Sequence, residues 1–296
     1  MKKVLKKIAK ILGVIGLVIM ILCSVLVITL IKNSKEQERQ QELMVKTDAE
    51  LMGTHFYMPR NNAEDVDLNL YLRDDGKKHP LIINLHGGAF IAGDADTLDT
   101  QSDRISKAWN VHVATVNYKL AKGDYDISYG TKEVVDTVKY FIEHSDEYQI
   151  DPNQIFVLGY SAGAYHAMAS VLSLKQDGID VAGQIICYGF IKEVNDTYLD
   201  MDETLRKTVA PALFILADSD PISDGSLTYQ KSLAANGIAT EVQKFTGSIH
   251  GFIEENNPEY DILKTTSKSP EQEILAQEAE NLIGNWIESR LDDETE

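Results

Sequence analysis

The sequence predicts an α/β fold on a mostly parallel sheet with helices on both faces, and three observations predict it. Short, nearly continuous apolar runs recur at Leu81–Leu85, Val111–Val116, Ile155–Leu158, Ile185–Tyr188 and Ala212–Leu216, as in strands covered on both faces. Helical patterns lie between them, such as Val134, Val135, Val138, Phe141 and Ile142. Strands that alternate with helices in this way build a parallel sheet sandwiched between helical layers.

The elements follow in chain order. Val66, Leu68, Leu70 and Leu72 alternate with polar residues, which predicts a half-buried, antiparallel strand. Ser226 to Asn236 reads as a helix stopped by Gly237, and Thr240–Phe245 as the last strand. The final helix has Ser269 as N-cap, Pro270 at its first position and Gln272 closing a capping box. Its apolar stripe is Leu275, Ala279, Leu282, Ile283, Trp286 and Ile287. Residues 51–296 contain no linker or repeat and are expected to form one domain.

The N-terminal region differs in kind. Five lysines, Lys2 to Lys10, precede an uncharged run of 21 residues, Ile11 to Ile31, and a helix crossing about 30 Å of hydrocarbon needs about 20. A cleaved signal peptide has an apolar core of about 7–15 residues ending in small ones. Here no such site follows, and bulky Leu22 stands before Cys23, where a lipoprotein signal needs a small residue. Residues 1–35 are therefore expected to be a cytoplasmic basic tail and a transmembrane anchor, and the Gln-, Glu- and Lys-rich residues 36–50 a polar linker. The lysine excess before the run, against Lys32 and Lys35 after it, puts the N-terminus in the cytoplasm and the domain outside. The lack of a disulfide framework favours a bacterial surface over an animal ectodomain.

Charge and cysteine content exclude other classes. The chain carries -18 overall; residues 1–35 hold seven Lys and no acid, which leaves 21 basic against 46 acidic residues, or -25. Such a body repels nucleic-acid phosphates. Cys23 and Cys187 are the only cysteines, too few for a thiolate zinc site.

Two glycine-rich motifs carry the chemistry. Gly159-Tyr160-Ser161-Ala162-Gly163 follows an apolar run and opens a helix rich in small residues. This is the strand-to-helix turn that exposes a nucleophilic serine above a sheet edge. His86-Gly87-Gly88-Ala89-Phe90 follows another apolar run and suits a loop that aims backbone N–H groups at a developing oxyanion. A serine nucleophile needs a base. Of the seven histidines only His166 and His250 lie beyond Ser161. His166 lies five residues along the helix that Ser161 opens and cannot fold back to it, so it is expected in the core or on the surface. That leaves His250, after the last strand. Asp218, Asp220 and Asp224 all stand where the orienting acid should be, and spacing does not separate them. Asp94, Asp96 and Asp99 do not follow a calcium-loop pattern and are read as a solvated loop.

These motifs resemble the serine esterases of the α/β-hydrolase superfamily, in particular the hormone-sensitive-lipase-like carboxylesterases and acetyl esterases. The resemblance rests on His86-Gly87-Gly88, Val116-Asn117-Tyr118-Lys119-Leu120-Ala121, Gly159 to Gly163, Asp220-Pro221-Ile222-Ser223-Asp224 and His250-Gly251-Phe252, in family order. It departs at Tyr160, where the branch usually has Asp, at Ala89, which replaces a third glycine, and at Lys122, which replaces a proline. The resemblance implies an α/β-hydrolase fold, a triad of Ser161, Asp220 and His250, and an oxyanion hole of Gly87, Gly88 and Ala162 N–H groups. Pro221 behind Asp220 agrees with that choice of acid, while Asp224 is expected to cap the helix near Ser226. No metal or cofactor is implied.

The expected activity is hydrolysis of short acyl esters, acetyl included, on small molecules or glycans. A prolyl-oligopeptidase-like peptidase and a non-catalytic surface interaction protein are the alternatives. The first lacks sequence for a propeller, and the second class commonly loses the serine or histidine kept here. Phe90, Tyr118, Tyr160 and Phe252 are candidates for the pocket wall or plain core.

Overall fold

Each apolar run forms a strand, and β-branched residues packed from both sides explain why. The computed structural model describes residues 50–189, 193–256 and 269–292, with Lys32 and Lys35. The chain divides into two units, Met1–Leu43 and Met44–Glu296, and the sheet with its helices makes up the second. The expected membrane run Ile11–Ile31 lies outside the described residues. Among the described residues no helix is long and apolar enough to cross a membrane.

The strands are β1 (Thr54–Met58), β2 (Val66–Tyr71), β3 (His79–Leu85), β4 (His112–Val116), β5 (Ile150–Tyr160), β6 (Gly183–Cys187), β7 (Ala212–Ala217) and β8 (Thr240–Phe245). Their order in the sheet is β1-β2-β4-β3-β5-β6-β7-β8. β1 and β2 pair antiparallel, β2 runs antiparallel to β4, and every other pair is parallel. The helices are α1 (Asp99–Ala108), α2 (Ile127–Glu143), α3 (Ala162–Gln176), α4 (Val194–Asp200), α5 (Glu203–Arg206), α6 (Pro221–Gly225), α7 (Leu227–Ala235) and α8 (Pro270–Asp292).

Period-two alternation sorts the strand side chains between two cores. Ile83, Val157, Ile186 and Phe214 meet Val138 of α2, Met168 of α3 and Leu233 of α7 on one face. Ile82, Phe156, Ile185 and Leu213 meet Ile105 of α1 and Ile283, Trp286 and Ile287 of α8 on the other. Each such side chain contributes roughly 1.5–3 kcal/mol on burial, so packing on the sheet, more than intrinsic propensity, holds the helices.

Two expectations are corrected. β2 is not half solvated: Asn69 is buried along with Val66, Leu68 and Leu70. Nor is the acidic turn a solvated loop, since Asp94, Asp96 and Asp99 are all buried. The reason is one polar cluster. Asp96 accepts from Asn69 Nδ2 (2.7 Å), Asp94 from Asn117 Nδ2 (3.3 Å), and Asp99 from the Tyr71 hydroxyl (2.8 Å) and Met52 N (3.0 Å). Burial, with the Asp96 and Asp67 charges nearby, pushes the Asp94 carboxyl up to about 7. β1 is a strand that no hydrophobic pattern announces.

Because β3, β5, β7 and β8 are parallel, the loops leaving them emerge at one edge. Leu85 pairs with Gly159 and Tyr160 with Cys187, so the His86 loop and the serine turn are neighbours by register.

Candidate active site

β5 ends in Tyr160 and the chain reverses through Ser161 into α3. Ser161 has φ 51° and ψ -110°, a conformation that costs on the order of 1–3 kcal/mol for a residue with a Cβ. The reversal requires glycine on both sides. A Cβ on Gly159 would sit 2.3 Å from Gly163 O, and one on Gly163 2.2 Å from Leu85 O. The Ser161 N–H donates to Cys187 O (3.0 Å), which ties the turn to β6.

Asp220 is the N-cap of α6: its Oδ1 accepts from Ile222 N (2.9 Å) and its Oδ2 from Ser223 N (3.1 Å). Pro221 fits the first helical position, where its missing N–H costs nothing. Oδ2 also lies 2.6 Å from His250 Nδ1, while His250 Nε2 lies 2.8 Å from Ser161 Oγ. Both carboxylate oxygens act as acceptors, so Nδ1 is the donor, and Nε2 accepts the Ser161 hydroxyl. The structure thus brings Ser161, His250 and Asp220 into one hydrogen-bonded chain.

The other two aspartates face elsewhere. Asp218 accepts from Gly247 N (3.2 Å), and Lys244 Nζ lies 3.5 Å from Asp218 and 3.4 Å from Asp224. Against expectation, Asp224 does not cap the helix near Ser226, whose N-cap is Ser226 itself with no side-chain capping bond. It sits inside α6, the short helix that Asp220 caps and that runs directly into Ser226.

The His250 turn is braced from α8. Ser269 Oγ accepts from Gln272 N (3.3 Å), which is one half of the expected capping box. The Gln272 side chain does not close the other half. Its Oε1 accepts from Ile249 N (3.2 Å) and its Nε2 donates to Gly247 O (2.8 Å). Ser248 O also accepts from Ser219 N (3.0 Å), joining the loops that carry the acid and the base.

The His86 loop corrects one expectation. Gly87 does not offer its N–H as an oxyanion donor, because it donates to the buried carboxylate of Glu254 (3.0 Å). The next peptide is turned the other way. Burial pushes the His86 imidazole down to about 4, and the neutral ring donates from Nδ1 to Gly87 O (2.7 Å). In a planar trans peptide the C=O and N–H point in opposite directions, so the Gly88 N–H faces away from His86. Gly88 O accepts from Ile91 N (3.1 Å) and Ala92 N (2.9 Å), which turns the Ala89 N–H outward by the same geometry. Among the described residues no acceptor meets Gly88 N, Ala89 N or Ala162 N. Ala89, not Gly87, joins Gly88 and Ala162 as an available donor.

Of the two places open to it, His166 takes the core. Its Nδ1 meets the Thr131 hydroxyl (2.9 Å), its ring lies 4.4 Å from that of Tyr118, and burial lowers it to about 3. Tyr118, Tyr160 and Phe252 are fully buried core residues, and Phe90 is half-buried. Among the described residues no group of three His, Cys, Asp or Glu could hold a metal ion. Sequence reasoning misses Glu254, Gln272 and Ala89 as parts of the site. The replacement of a third glycine by Ala89 is visible in the motif and Gln272 is marked as a helix cap, but nothing in the pattern links Gln272 to the His250 turn or sets Glu254 apart from surface residues.

A family model described as the alpha/beta hydrolase fold matches residues 82–206, which span the His86 loop and the serine turn. The chain has the α/β-hydrolase fold. Solved structures agree with the fold along most of the chain. The chain is similar to fungal esterases from Rhizomucor miehei, at TM-score 0.68 and 18% identity, covering 87% of this chain and 89% of that one. It is similar to an esterase from Pyrobaculum calidifontis, at TM-score 0.67 and 20% identity, covering 86% and 90%. A thermostable carboxylesterase cloned from a metagenomic library matches at TM-score 0.64 and 21% identity, covering 87% and 96%. In α/β-hydrolases the triad runs Ser, Asp or Glu, then His along the chain, which is the order of Ser161, Asp220 and His250.

Proposed function

We propose that the protein is a serine carboxylesterase for short acyl esters, acetyl included, held at the outer face of a membrane by Ile11–Ile31. The observation that carries the enzymatic part is the chain of contacts at 2.8 and 2.6 Å from Ser161 through His250 to Asp220. Esterase neighbours of the same fold support it.

The reaction follows from that chain. His250 Nε2 takes the Ser161 proton as Oγ attacks the ester carbonyl carbon, and Asp220 stabilises the imidazolium that forms. The carbonyl oxygen becomes an oxyanion facing the N–H groups of Gly88, Ala89 and Ala162, donors each worth about 3–4 kcal/mol when removed from such a hole. The imidazolium then protonates the departing alcohol. Water attacks the acyl-Ser161, gives its proton to His250, and the collapse frees the carboxylic acid and restores the serine.

A preference for acyl chains of six carbons or fewer is expected. Tyr118, Tyr160, Tyr188 and Phe252 are spent on the core, which leaves fewer aromatic side chains to line a long acyl channel. A panel of p-nitrophenyl esters from acetyl to dodecanoyl, run beside a peptide anilide, tests this. An optimum at dodecanoate overturns the chain-length reading, and faster anilide cleavage points to a peptidase. Failure of the wild type to react with a fluorophosphonate probe sinks the enzymatic reading.

The membrane part has its own test. Protease added to intact protoplasts should remove the catalytic domain. Protection of the domain, or its release with a new N-terminus near residue 30, rejects the anchor.

A further inference from the structure

We propose that Glu254 is a positioning residue for the oxyanion-binding loop, an inference that rests on the esterase reading. The residue is 1% exposed, and its carboxylate accepts the Gly87 N–H at 3.0 Å across 167 positions of sequence. The fit is close: a Cβ on Gly87 would lie 2.2 Å from Glu254 Oε1. The same peptide unit is held at its other end, where the Tyr118 hydroxyl donates to His86 O (2.7 Å). A planar unit fixed at both its oxygen and its hydrogen cannot rotate. The next unit, held through Gly87 O by His86 Nδ1, then keeps the Gly88 N–H turned to the opposite side.

Glu254 stands four residues after His250 on the same short segment, which turns through the bond from Phe252 N to Ile249 O (3.2 Å). One stretch of chain therefore delivers both the base and the brace. It sets the oxyanion donors in register with the imidazole, and a displacement of about 1 Å in such a register can cost about 10²-fold in rate. What the loop needs from residue 254 is an acceptor at the reach of a glutamate. A negative charge is not required, and a charge near a developing oxyanion opposes it.

Three variants separate reach from charge. Glu254→Ala removes the acceptor, and Glu254→Asp keeps the charge but falls one methylene short. Glu254→Gln keeps an oxygen at the same reach without the charge. With p-nitrophenyl acetate, the Ala and Asp variants are expected to lose about 10²-fold in kcat with KM nearly constant, the size of losing one oxyanion donor. The Gln variant is expected to stay within about 10-fold of the wild type. Inhibition by a trifluoromethyl ketone, whose adduct with Ser161 carries an oxyanion, should weaken in parallel with kcat/KM, which a general loss of packing would not produce. Thermal midpoints identify folded variants; if the Ala variant does not fold, the Asp and Gln pair decides. A Gln variant as impaired as Asp, a loss confined to KM, or unchanged kcat in Ala overturns the proposal. A wild type that turns over no ester and is not labelled by a fluorophosphonate overturns the esterase reading, and the proposal with it.

Discussion

Ser161→Ala is expected to lower the turnover of a short ester about 10⁶-fold, His250→Ala by a similar factor, and the double variant by no more than either. The reason is that the two side chains act as one unit. The Ser161 hydroxyl donates to His250 Nε2 at 2.8 Å, and without that acceptor it attacks as a neutral alcohol. Without the hydroxyl the imidazole has nothing to activate but water. What survives in all three variants is the contribution of the N–H groups and of binding, about 10³–10⁴ over the uncatalysed reaction. Rates of p-nitrophenyl acetate hydrolysis for the four proteins form the cycle. If the two single losses multiply in the double variant, Ser161 and His250 do not work together and the mechanism is wrong.

Asp220→Asn should cost about 10⁴-fold in kcat, the loss known for the analogous change in a Ser-His-Asp protease. The capping bonds show how. Ile222 N and Ser223 N each point a hydrogen at one carboxylate oxygen. An asparagine amide group cannot accept both, and with its nitrogen at the Oδ2 position it meets His250 Nδ1 as a donor. The ring must then carry its hydrogen on Nε2, where it cannot take the serine proton. Asp218→Asn and Asp224→Asn should each cost less than about 10-fold, since their partners are Gly247 and Lys244, and exposed pairs of that kind contribute about 0–1 kcal/mol. Equal thermal midpoints for the three variants make the rates comparable. Full activity in Asp220→Asn beside a crippled Asp218→Asn assigns the acid wrongly.

The parts of the molecule legible in its sequence are those where backbone geometry or burial on both faces restricts the choice of residue. Gly159 and Gly163 have no room for a Cβ, so the serine turn writes itself as G-x-S-x-G. The central strands are apolar on both faces, so they read as runs. The illegible parts are those whose partners arrive from far along the chain. Asp94, Asp96 and Asp99 look like solvent-facing acids until Asn69, Asn117 and Tyr71 are folded over them. Gln272 satisfies a local capping pattern, yet its side chain is drawn away by Ile249 and Gly247, 23 and 25 residues distant. Spacing leaves three aspartates level after β7; the resemblance and Pro221 single out Asp220, and the turn into α6 brings its carboxylate to His250. β1 shows the opposite limit. Five residues on a sheet edge, mostly unburied, need no pattern beyond a complementary neighbour.

The backbone at Ser161 has a consequence for how such a sequence persists. A glycine there would relieve a strain on the order of 1–3 kcal/mol, a sizeable share of the roughly 5–15 kcal/mol that typically separates a native domain from its unfolded chain. Genetic drift filtered for folding alone would move this position towards glycine, since stability rewards the exchange and the surrounding glycines already accommodate the turn. Serine at this turn is therefore a residue that selection for folding alone would not retain. On the proposed esterase reading, its presence marks selection for chemistry acting against selection for stability.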